Sequence, residues 1–330
     1  MEHNISPAGK RSLNSNVRAQ LLKALRSVVR GLREFAYTRP VPSVRGAKPG
    51  RRPRLGLALG GGFARAFAHI GVLKVLVDNH IVIDALAGTS AGSIVAAAFA
   101  SGCTIEEMTS AARNTRWNSF ARWTFPRLGF ATNERMESLL VKILHCRSFE
   151  QLKLPLAVVA ADILSGETVI FREGDLITPL RASCSFPGLF VPIEYGGRLL
   201  IDGAVVASVP VSALPDMDLS VGVHVQCNSL RQRPTNLFEI VGESFRITQD
   251  LNLSSWRDRC DLAIEPRLGD FRWDDFTRSE ELIAAGEIAA REALPALRNL
   301  MQERAQGFAA QQPARAAGPR FAYQAPKTSP

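Results

Sequence analysis

The sequence predicts an α/β fold with a mostly parallel sheet that is covered by helices on both faces. Three observations predict it. Short apolar runs alternate with helical patterns, two glycine-rich turns each join an apolar run to a helical run, and the composition is that of a globular protein. Of the 330 residues, 46% are hydrophobic and 22% are charged, which is enough to bury a sizeable core. Loops at the carboxyl ends of parallel strands meet at one edge of a sheet, so we expect both glycine turns there.

The strands and helices follow from apolar runs and from helical periodicity. Strands are predicted, in chain order, at residues 55–59, 81–87, 156–161, 167–171, 198–201, 219–225 and 262–265. Helices are predicted at residues 93–100, 104–113, 133–144, 176–183, 237–253 and 279–302. Pro295 is expected to kink or divide the last helix, because proline removes a backbone donor.

Residues 116–130 carry five aromatic residues and several arginines without a clear period. Three hypotheses stay open for this segment. It is a flap over an apolar cleft, an interfacial patch, or a loop that its aromatic side chains attach to the core.

The two ends of the chain differ in composition from its centre. Residues 16–37 predict a basic amphipathic helix, which suits either an anionic membrane surface or packing against the domain. A linker rich in Pro, Gly and Arg follows, and the last residues are rich in Ala, Pro, Gln and Gly. We therefore expect a basic N-terminal helix and linker at 1–53, one folded domain at 54–304 and a disordered tail at 305–330.

The positive charge of the chain is concentrated at its N-terminus. Residues 1–54 hold 13 Lys or Arg and two Glu, a net +11 against +9 for the whole chain, so the remainder is slightly negative. Because the domain has no basic patch, the composition argues against a nucleic-acid partner. It gives no indication of the oligomeric state.

The cysteines and the hydropathy pattern bear on the compartment. Five cysteines are scattered without a Cys-x-x-Cys pair, which argues for reduced thiols and against a disulfide framework or a zinc site. The sequence has no run of 18 apolar residues and no apolar stretch beside its basic N-terminus that would make a secretory signal. The prediction is a cytoplasmic protein, with peripheral membrane association left open.

The second glycine turn has the pattern of a nucleophile elbow. Residues 88–92 read GTSAG, a G-x-S-x-G that connects a predicted strand to a predicted helix. A bend this tight strains the backbone of Ser90 and leaves no room for side chains at Gly88 and Gly92. It also points the N-terminus of the following helix at the serine hydroxyl, which suits a developing oxyanion.

The first glycine turn supplies bare backbone amides. Gly60, Gly61 and Gly62 follow the first strand, and successive amides in such a loop form an anion-binding concavity. That concavity suits an oxyanion hole or a phosphate cradle. The residues that follow complete neither the dinucleotide fingerprint G-x-G-x-x-G nor a P-loop.

A serine nucleophile needs a base, and two candidates stay open. Asp202, followed by Gly203, ends a predicted strand, where a carboxylate acts as an acid or base or simply forms an Asx-turn. In the first alternative Asp202 is the base alone. In the second, Ser90, Asp202 and His224 form a triad in the chain order of the α/β-hydrolases.

Three blocks resemble the patatin-like phospholipase family, and specifically its bacterial serine acyl hydrolases. They are residues 60–76 (GGGFARAFAHIGVLKVL), 88–92 (GTSAG) and 202–211 (DGAVVASVPV). A fourth and weaker block is residues 181–192 (RASCSFPGLFVP). The blocks occur in the family's order and span about residues 54 to 230.

The resemblance implies a three-layer α/β/α sandwich for residues 54–304, with no metal and no cofactor. It implies that Ser90 is the nucleophile and Asp202 the base, and that the amides of residues 60–62 form the oxyanion hole, with Gly61 and Gly62 preferred. Arg65 corresponds to the family's loop arginine. Two positions depart from the pattern: Phe63 takes the place of a glycine, and Ser208 stands where many members have Asn.

The resemblance also implies a function, a lipid acyl hydrolase of the phospholipase A or lysophospholipase type. Its partners would be a phospholipid or lysophospholipid substrate and a peripheral membrane surface. Two alternatives stay open, an esterase with the His224 triad and a non-catalytic membrane-associated module. The motifs do not specify head group, acyl position or chain length.

Overall fold

A computed structural model describes residues 51–123, 129–225, 233, 237–251 and 256–310. The basic helix predicted at 16–37, most of the linker and residues 311–330 lie outside the described residues. Residues 305–310, which the composition assigned to the tail, are the end of the last helix.

An eight-stranded sheet lies at the centre of the described chain. The strands, in chain order, are β1 (Leu55–Leu59), β2 (Ala85–Thr89), β3 (Arg122–Trp123), β4 (Ala131–Thr132), β5 (Leu156–Asp162), β6 (Thr168–Phe171), β7 (Ile193–Tyr195), β8 (Arg198–Asp202), β9 (Leu219–Val223) and β10 (Leu262–Ile264). The sheet order is β10-β9-β1-β2-β5-β8-β7, with β6 also on β5, while β3 and β4 form a separate antiparallel pair. Strands β10, β9, β1, β2 and β5 are parallel, and β6, β7 and β8 join antiparallel. The predicted mostly parallel sheet is confirmed.

Eight regular helices belong to the described residues. They are α1 (Ala68–Asp78), α2 (Ala91–Ser101), α3 (Ile105–Asn114), α4 (Trp117–Phe120), α5 (Glu134–Ile143), α6 (Ile177–Ser183), α7 (Leu237–Leu251) and α8 (Ser279–Ala310). Thr104 caps α3 in a capping box with Glu107, each side chain bonding the other residue's backbone amide.

The alternating side chains of the strands build a core on each face of the sheet. On one face, Leu55, Leu57 and Leu59 of β1 pack with residues of α1, α2 and α8. On the other face, Ala58 and its neighbours on β2 and β5 are covered by residues 206–214 and Trp256. The predicted covering of both faces is therefore confirmed, although short 3₁₀ turns contribute to the second layer.

Two elements differ from the sequence prediction. The strand predicted at 81–87 begins only at Ala85, where its pairing with Gly56 of β1 begins. The Asp84 carboxylate just before it accepts from the Leu55 amide and pairs with Arg52. Helix α8 continues through Pro295 and is not divided there. Buried Leu294 and Leu297 hold this part of α8 on the core, which offsets the hydrogen bond that proline removes.

Register brings the two glycine turns to one edge of the sheet. Leu59, the last residue of β1, pairs with Gly88 of β2 on one side and with Val223 of β9 on the other. The loop 60–62 and the elbow 88–92 therefore leave neighbouring strands side by side, as the sequence predicted.

Candidate active site

The elbow at Ser90 is the strained point of the site. Ser90 lies between β2 and α2 with φ 53° and ψ −136°, a conformation that costs free energy for a residue with a side chain. A Cβ on Gly88 would collide with the backbone of Ser93, and one on Gly92 with the carbonyl groups of residues 59 and 60. The two glycines are therefore required by close packing, and Ser90 is raised toward the cavity described below.

Asp202 reaches the serine from the end of β8. The Ser90 hydroxyl donates to Asp202 Oδ2 at 2.7 Å, and the Ala204 amide donates to Oδ1 at 2.9 Å. Gly203 lets β8 approach β5 closely, because a Cβ there would collide with the carbonyl of Val159. The structure thus brings together the hydroxyl and the carboxylate that the sequence singled out, 112 residues apart.

Burial sets the acidity of this carboxyl. Asp202 is 1% exposed, and burial raises its pKa to about 7, while the hydrogen bonds from Ser90 and Ala204 lower it only in part. A carboxylate with this pKa gains and loses its proton near neutral pH, which suits a general base.

The amides of the glycine loop differ in whether they have a hydrogen-bond acceptor. The Gly60 amide donates to the Val223 carbonyl at 3.0 Å and the Gly61 amide to the Ser208 carbonyl at 3.2 Å. The amides of Gly62 and Phe63 have no acceptor among the described residues. Of the three glycine amides predicted to form an oxyanion hole, that of Gly62 is therefore the one without an acceptor among the described residues.

Phe63 occupies a conformation that favours glycine. Its φ is 50°, in the left-handed region, at the position where the resemblance expected a glycine. Gly61 lies directly against the nucleophile, since a Cβ there would lie 3.0 Å from the Ser90 Cβ. Ser208, the second departure, contacts this loop through its backbone carbonyl.

His69 and Arg65 contact backbone carbonyl groups of the glycine loop 60–62. The buried imidazole of His69 donates from Nε2 to the Gly60 carbonyl at 2.8 Å, and burial lowers its pKa to about 4, so it is neutral. The Arg65 guanidinium contacts the Gly62 carbonyl at 3.4 Å. Both residues are placed to fix the loop and neither contacts Ser90 or Asp202.

The structure does not bring His224 to the pair. No hydrogen bond joins His224 to Ser90 or Asp202, although all three are described, and both Asp202 oxygens already have donors. Burial and the nearby charges of Arg257 and Arg65 lower the pKa of His224 to about 4. The direct contact between serine and aspartate favours the dyad alternative over the triad.

Residues 183–185, which belong to the fourth block, were not predicted to act in the site. The Ser90 amide donates to the Ser183 hydroxyl at 2.8 Å, and that hydroxyl donates to the Val159 carbonyl at 2.6 Å. The Asp202 amide donates to the Ser185 carbonyl at 2.9 Å. The only sequence signal for these contacts was the block itself.

A cavity of about 430 Å³ opens beside Ser90. Its walls are mainly apolar, and they include Phe63, Ile94, Met108, Phe120, Leu139 and Phe190. Trp117 stacks on Phe190 at 5.9 Å while Trp123 is 54% exposed, so the segment 116–130 both lines the core and reaches the surface. Residues 124–128 of that segment lie outside the described residues.

The lining of the cavity includes a polar cluster of Cys103, Glu107 and His145. Their ligand atoms lie within 4.8 Å of one another, so this is the group of described residues closest to a metal site. The Cys103 thiol donates to the Ile143 carbonyl at 2.9 Å, burial raises its pKa, and Glu107 and His145 are exposed.

Among the described helices, none combines the length and the apolar composition needed to cross a bilayer.

Known sequences relate the chain to one family. The model of the patatin-like phospholipase family matches residues 57–215. An uncharacterised NTE family protein of Mycobacterium tuberculosis is 32% identical over 198 residues, which cover 59% of this chain and 55% of that protein. The lysophospholipase NTE1 of Cryptococcus neoformans is 30% identical over 195 residues, covering 56% of this chain and 12% of that protein. The chain thus spans about half the length of the first relative and a small part of the second.

Solved structures give weaker likenesses. VipD of Legionella pneumophila has a TM-score of 0.44 and 13% identity, over 77% of this chain and 67% of that chain. Human GIVD cytosolic phospholipase A2 has a TM-score of 0.40 and 11% identity, over 89% of this chain and 65% of that chain.

Proposed function

Because residues 57–215 belong to the patatin-like phospholipase family, we propose that the chain is a serine hydrolase that cleaves acyl esters of lipids. The observation that carries the proposal is the 2.7 Å hydrogen bond from Ser90 Oγ to Asp202 Oδ2, beside an apolar cavity. Ser90 is the nucleophile and Asp202 the base, without a histidine between them.

The reaction has two halves. Ser90 Oγ attacks the acyl carbonyl as Asp202 takes its proton, and the amides of Gly62 and Phe63 donate to the oxyanion. The C–O bond to the leaving alcohol breaks, and Asp202 returns the proton to that oxygen. Water then attacks the acyl-serine ester, again giving its proton to Asp202, and the fatty acid leaves as Ser90 recovers the proton.

The cavity supports a long acyl chain as the substrate group. Its 430 Å³ lies within the range of about 300–1,000 Å³ that small-molecule sites occupy, and its lining beside Ser90 is apolar. We propose phospholipids or lysophospholipids as substrates, and the similarity to a fungal lysophospholipase also supports this class.

The test is fatty-acid release by the purified full chain. Lysophosphatidylcholine micelles and phosphatidylcholine vesicles are the two substrates, and Ser90→Ala is the blank. Ser101→Ala is the matched control, because it removes another buried hydroxyl. That hydroxyl bonds the Ala98 carbonyl, the Cys103 thiol and the His145 amide, and it has no hydrogen bond to Ser90 or Asp202. Loss of release in Ser90→Ala alone is expected, and equal release by Ser90→Ala would refute the proposal.

We further propose that residues 1–53 attach the domain that follows them peripherally to membranes. Their net positive charge is the supporting observation. Deleting residues 1–52 should lower binding to anionic vesicles while turnover of a soluble ester is retained. Unchanged vesicle binding would overturn this part.

A further inference from the structure

Residues 183–185 lie between the two residues of the proposed dyad and bond the backbone of both. Ser183 Oγ accepts from the Ser90 amide at 2.8 Å, and the Ser185 carbonyl accepts from the Asp202 amide at 2.9 Å. We infer that Ser183 is a positioning residue, which holds the nucleophile at the distance from Asp202 that proton transfer requires. The inference rests on the proposed function and concerns a residue to which that function gives no role.

The Ser90 amide needs a partner that the helix does not provide. Ser90 immediately precedes α2, and the first amides of a helix have no acceptor within it. The residue is also 6% exposed, so water does not replace that acceptor freely. The Ser183 hydroxyl therefore satisfies a buried donor at the strained turn.

The orientation of the Ser183 hydroxyl is fixed from its other side. Its proton goes to the Val159 carbonyl of β5 at 2.6 Å, so a lone pair faces the Ser90 amide. Ser183 is 0% exposed and ends α6, which packs on β5. The sheet thus sets the position of the nucleophile through one hydroxyl.

Ser185 is held just as firmly at the other end of the segment. Its hydroxyl donates to the Arg181 carbonyl at 3.0 Å and accepts from Asn133 Nδ2 at 3.1 Å. A second bond joins Asn133 Nδ2 to the Arg181 carbonyl at 2.9 Å. A rigid three-residue bridge therefore fixes the separation of two residues that come from different strands.

Loss of the bridge should affect the reaction step more than substrate binding. Ser183 does not line the cavity, so an alanine there leaves the acyl-binding walls unchanged. The Ser90 backbone would lose its anchor and the hydroxyl would spend less time within reach of Asp202. A misplacement of about 1 Å can cost roughly 10²-fold in rate.

The experiment compares Ser183→Ala with Ser101→Ala in the full chain, with kcat, KM and the pH–rate profile measured on lysophosphatidylcholine. We expect Ser183→Ala to lower kcat roughly 10- to 100-fold with KM unchanged. We also expect the inflection of the profile to move to higher pH, because the Ser90 hydrogen bond lowers the pKa of Asp202. Ser101→Ala should change neither.

Unchanged kcat and inflection in Ser183→Ala would overturn the inference while leaving the proposed function intact, provided Ser90→Ala is inactive. If Ser183→Ala does not fold by circular dichroism, Ser183→Cys takes its place. Its sulfur is close in size but a weak acceptor, so kcat should fall and the inflection should rise. A Cys variant with parental kcat would equally overturn it.

Discussion

Asp162 and Asp202 end two strands that pair with each other, and yet the pKa values of their carboxyl groups shift in opposite directions. Asp162 ends β5 and Asp202 ends β8. Each Oδ1 accepts from the amide two residues further on, that of Leu164 at 3.1 Å and that of Ala204 at 2.9 Å. Both are therefore Asx-type turns, and the turn alone does not distinguish an anchor from a base.

The two carboxylates differ in what surrounds their Oδ2 atoms. Burial would raise the pKa of Asp162, but hydrogen bonds from Leu164 and Ser165 and the charge of Arg198, 3.7 Å away, outweigh it and hold the pKa below its usual value. Among the described residues, the hydrogen-bond partner of Asp202 Oδ2 is the neutral Ser90 hydroxyl, and burial raises the pKa to about 7. The difference teaches that burial which few hydrogen bonds offset, more than the lack of a cation, makes Asp202 a candidate base.

The largest expected effect is the difference in kcat between variants of the two aspartates. Asp202→Asn removes the proposed base and should lower kcat on lysophosphatidylcholine roughly 10²–10⁴-fold. Asp162→Asn keeps the shape of its turn and should stay within a few-fold of the parent. Similar losses in both variants would mean that the comparison does not describe the reaction.

The pH dependence should follow Asp202 alone. The base works only when deprotonated, so kcat/KM should rise with pH to a plateau, with an inflection near pH 7. Asp162→Asn should show the same inflection. A parent profile that is flat from pH 5 to 9 would speak against Asp202 as the base.

Stability should change in opposite directions at the two sites. The raised pKa of folded Asp202 means that its stabilising contribution is complete below about pH 4 and is lost as pH rises to about 7. Asp202→Asn, neutral throughout, should therefore exceed the parent in free energy of unfolding at pH 8 by up to about 4 kcal/mol, with the gain vanishing near pH 4.

Asp162→Asn should show the reverse. Its depressed pKa means that the carboxylate stabilises the fold above the unfolded-state pKa and that this contribution is lost as pH falls. The variant should be less stable than the parent at pH 7, with the deficit shrinking in acid. Urea unfolding at pH 4 and 8 measures both variants, and shifts of the same sign at pH 8 would contradict the assignment.

Local patterns explain what the sequence could predict. Glycine spacing and apolar runs indicated the elbow at Ser90, the loop 60–62 and the strand that delivers Asp202, because each depends on residues adjacent in the chain. The parallel sheet and its edge followed from the alternation of elements. The family resemblance added the preference for Asp202 as the sole base of Ser90.

Contacts between distant segments explain what the sequence did not predict. Which loop amides are occupied depends on the carbonyl groups of Val223 and Ser208, and the Ser90 amide depends on Ser183. The cluster of Cys103 and His145 joins residues about forty positions apart. These partners are set by register and packing, which a single sequence does not display.

Replacing His224 should have only a small effect on kcat. Its Nε2 has no partner among the described residues, and the side chain packs 5.5 Å from the ring of Trp256. His224→Gln should therefore keep kcat within a few-fold, whereas a triad histidine would cost orders of magnitude. A thousand-fold loss with an unchanged melting temperature would restore the triad and remove the role of Asp202 as sole base.

The smallest effect is expected from replacing Arg198, the cation beside Asp162. The Arg198 side chain is 44% exposed and lies beside Asp162 and Glu167, so Arg198→Ala should cost at most about 1 kcal/mol of unfolding free energy. Turnover should be unchanged, because the charge supports the Asp162 turn and not the serine. Arg198→Lys, which keeps the charge, is the matched control. A tenfold fall in kcat for Arg198→Ala, absent in Arg198→Lys, would show that the charge beside Asp162 reaches the reacting groups, and the two aspartates would no longer have separate roles.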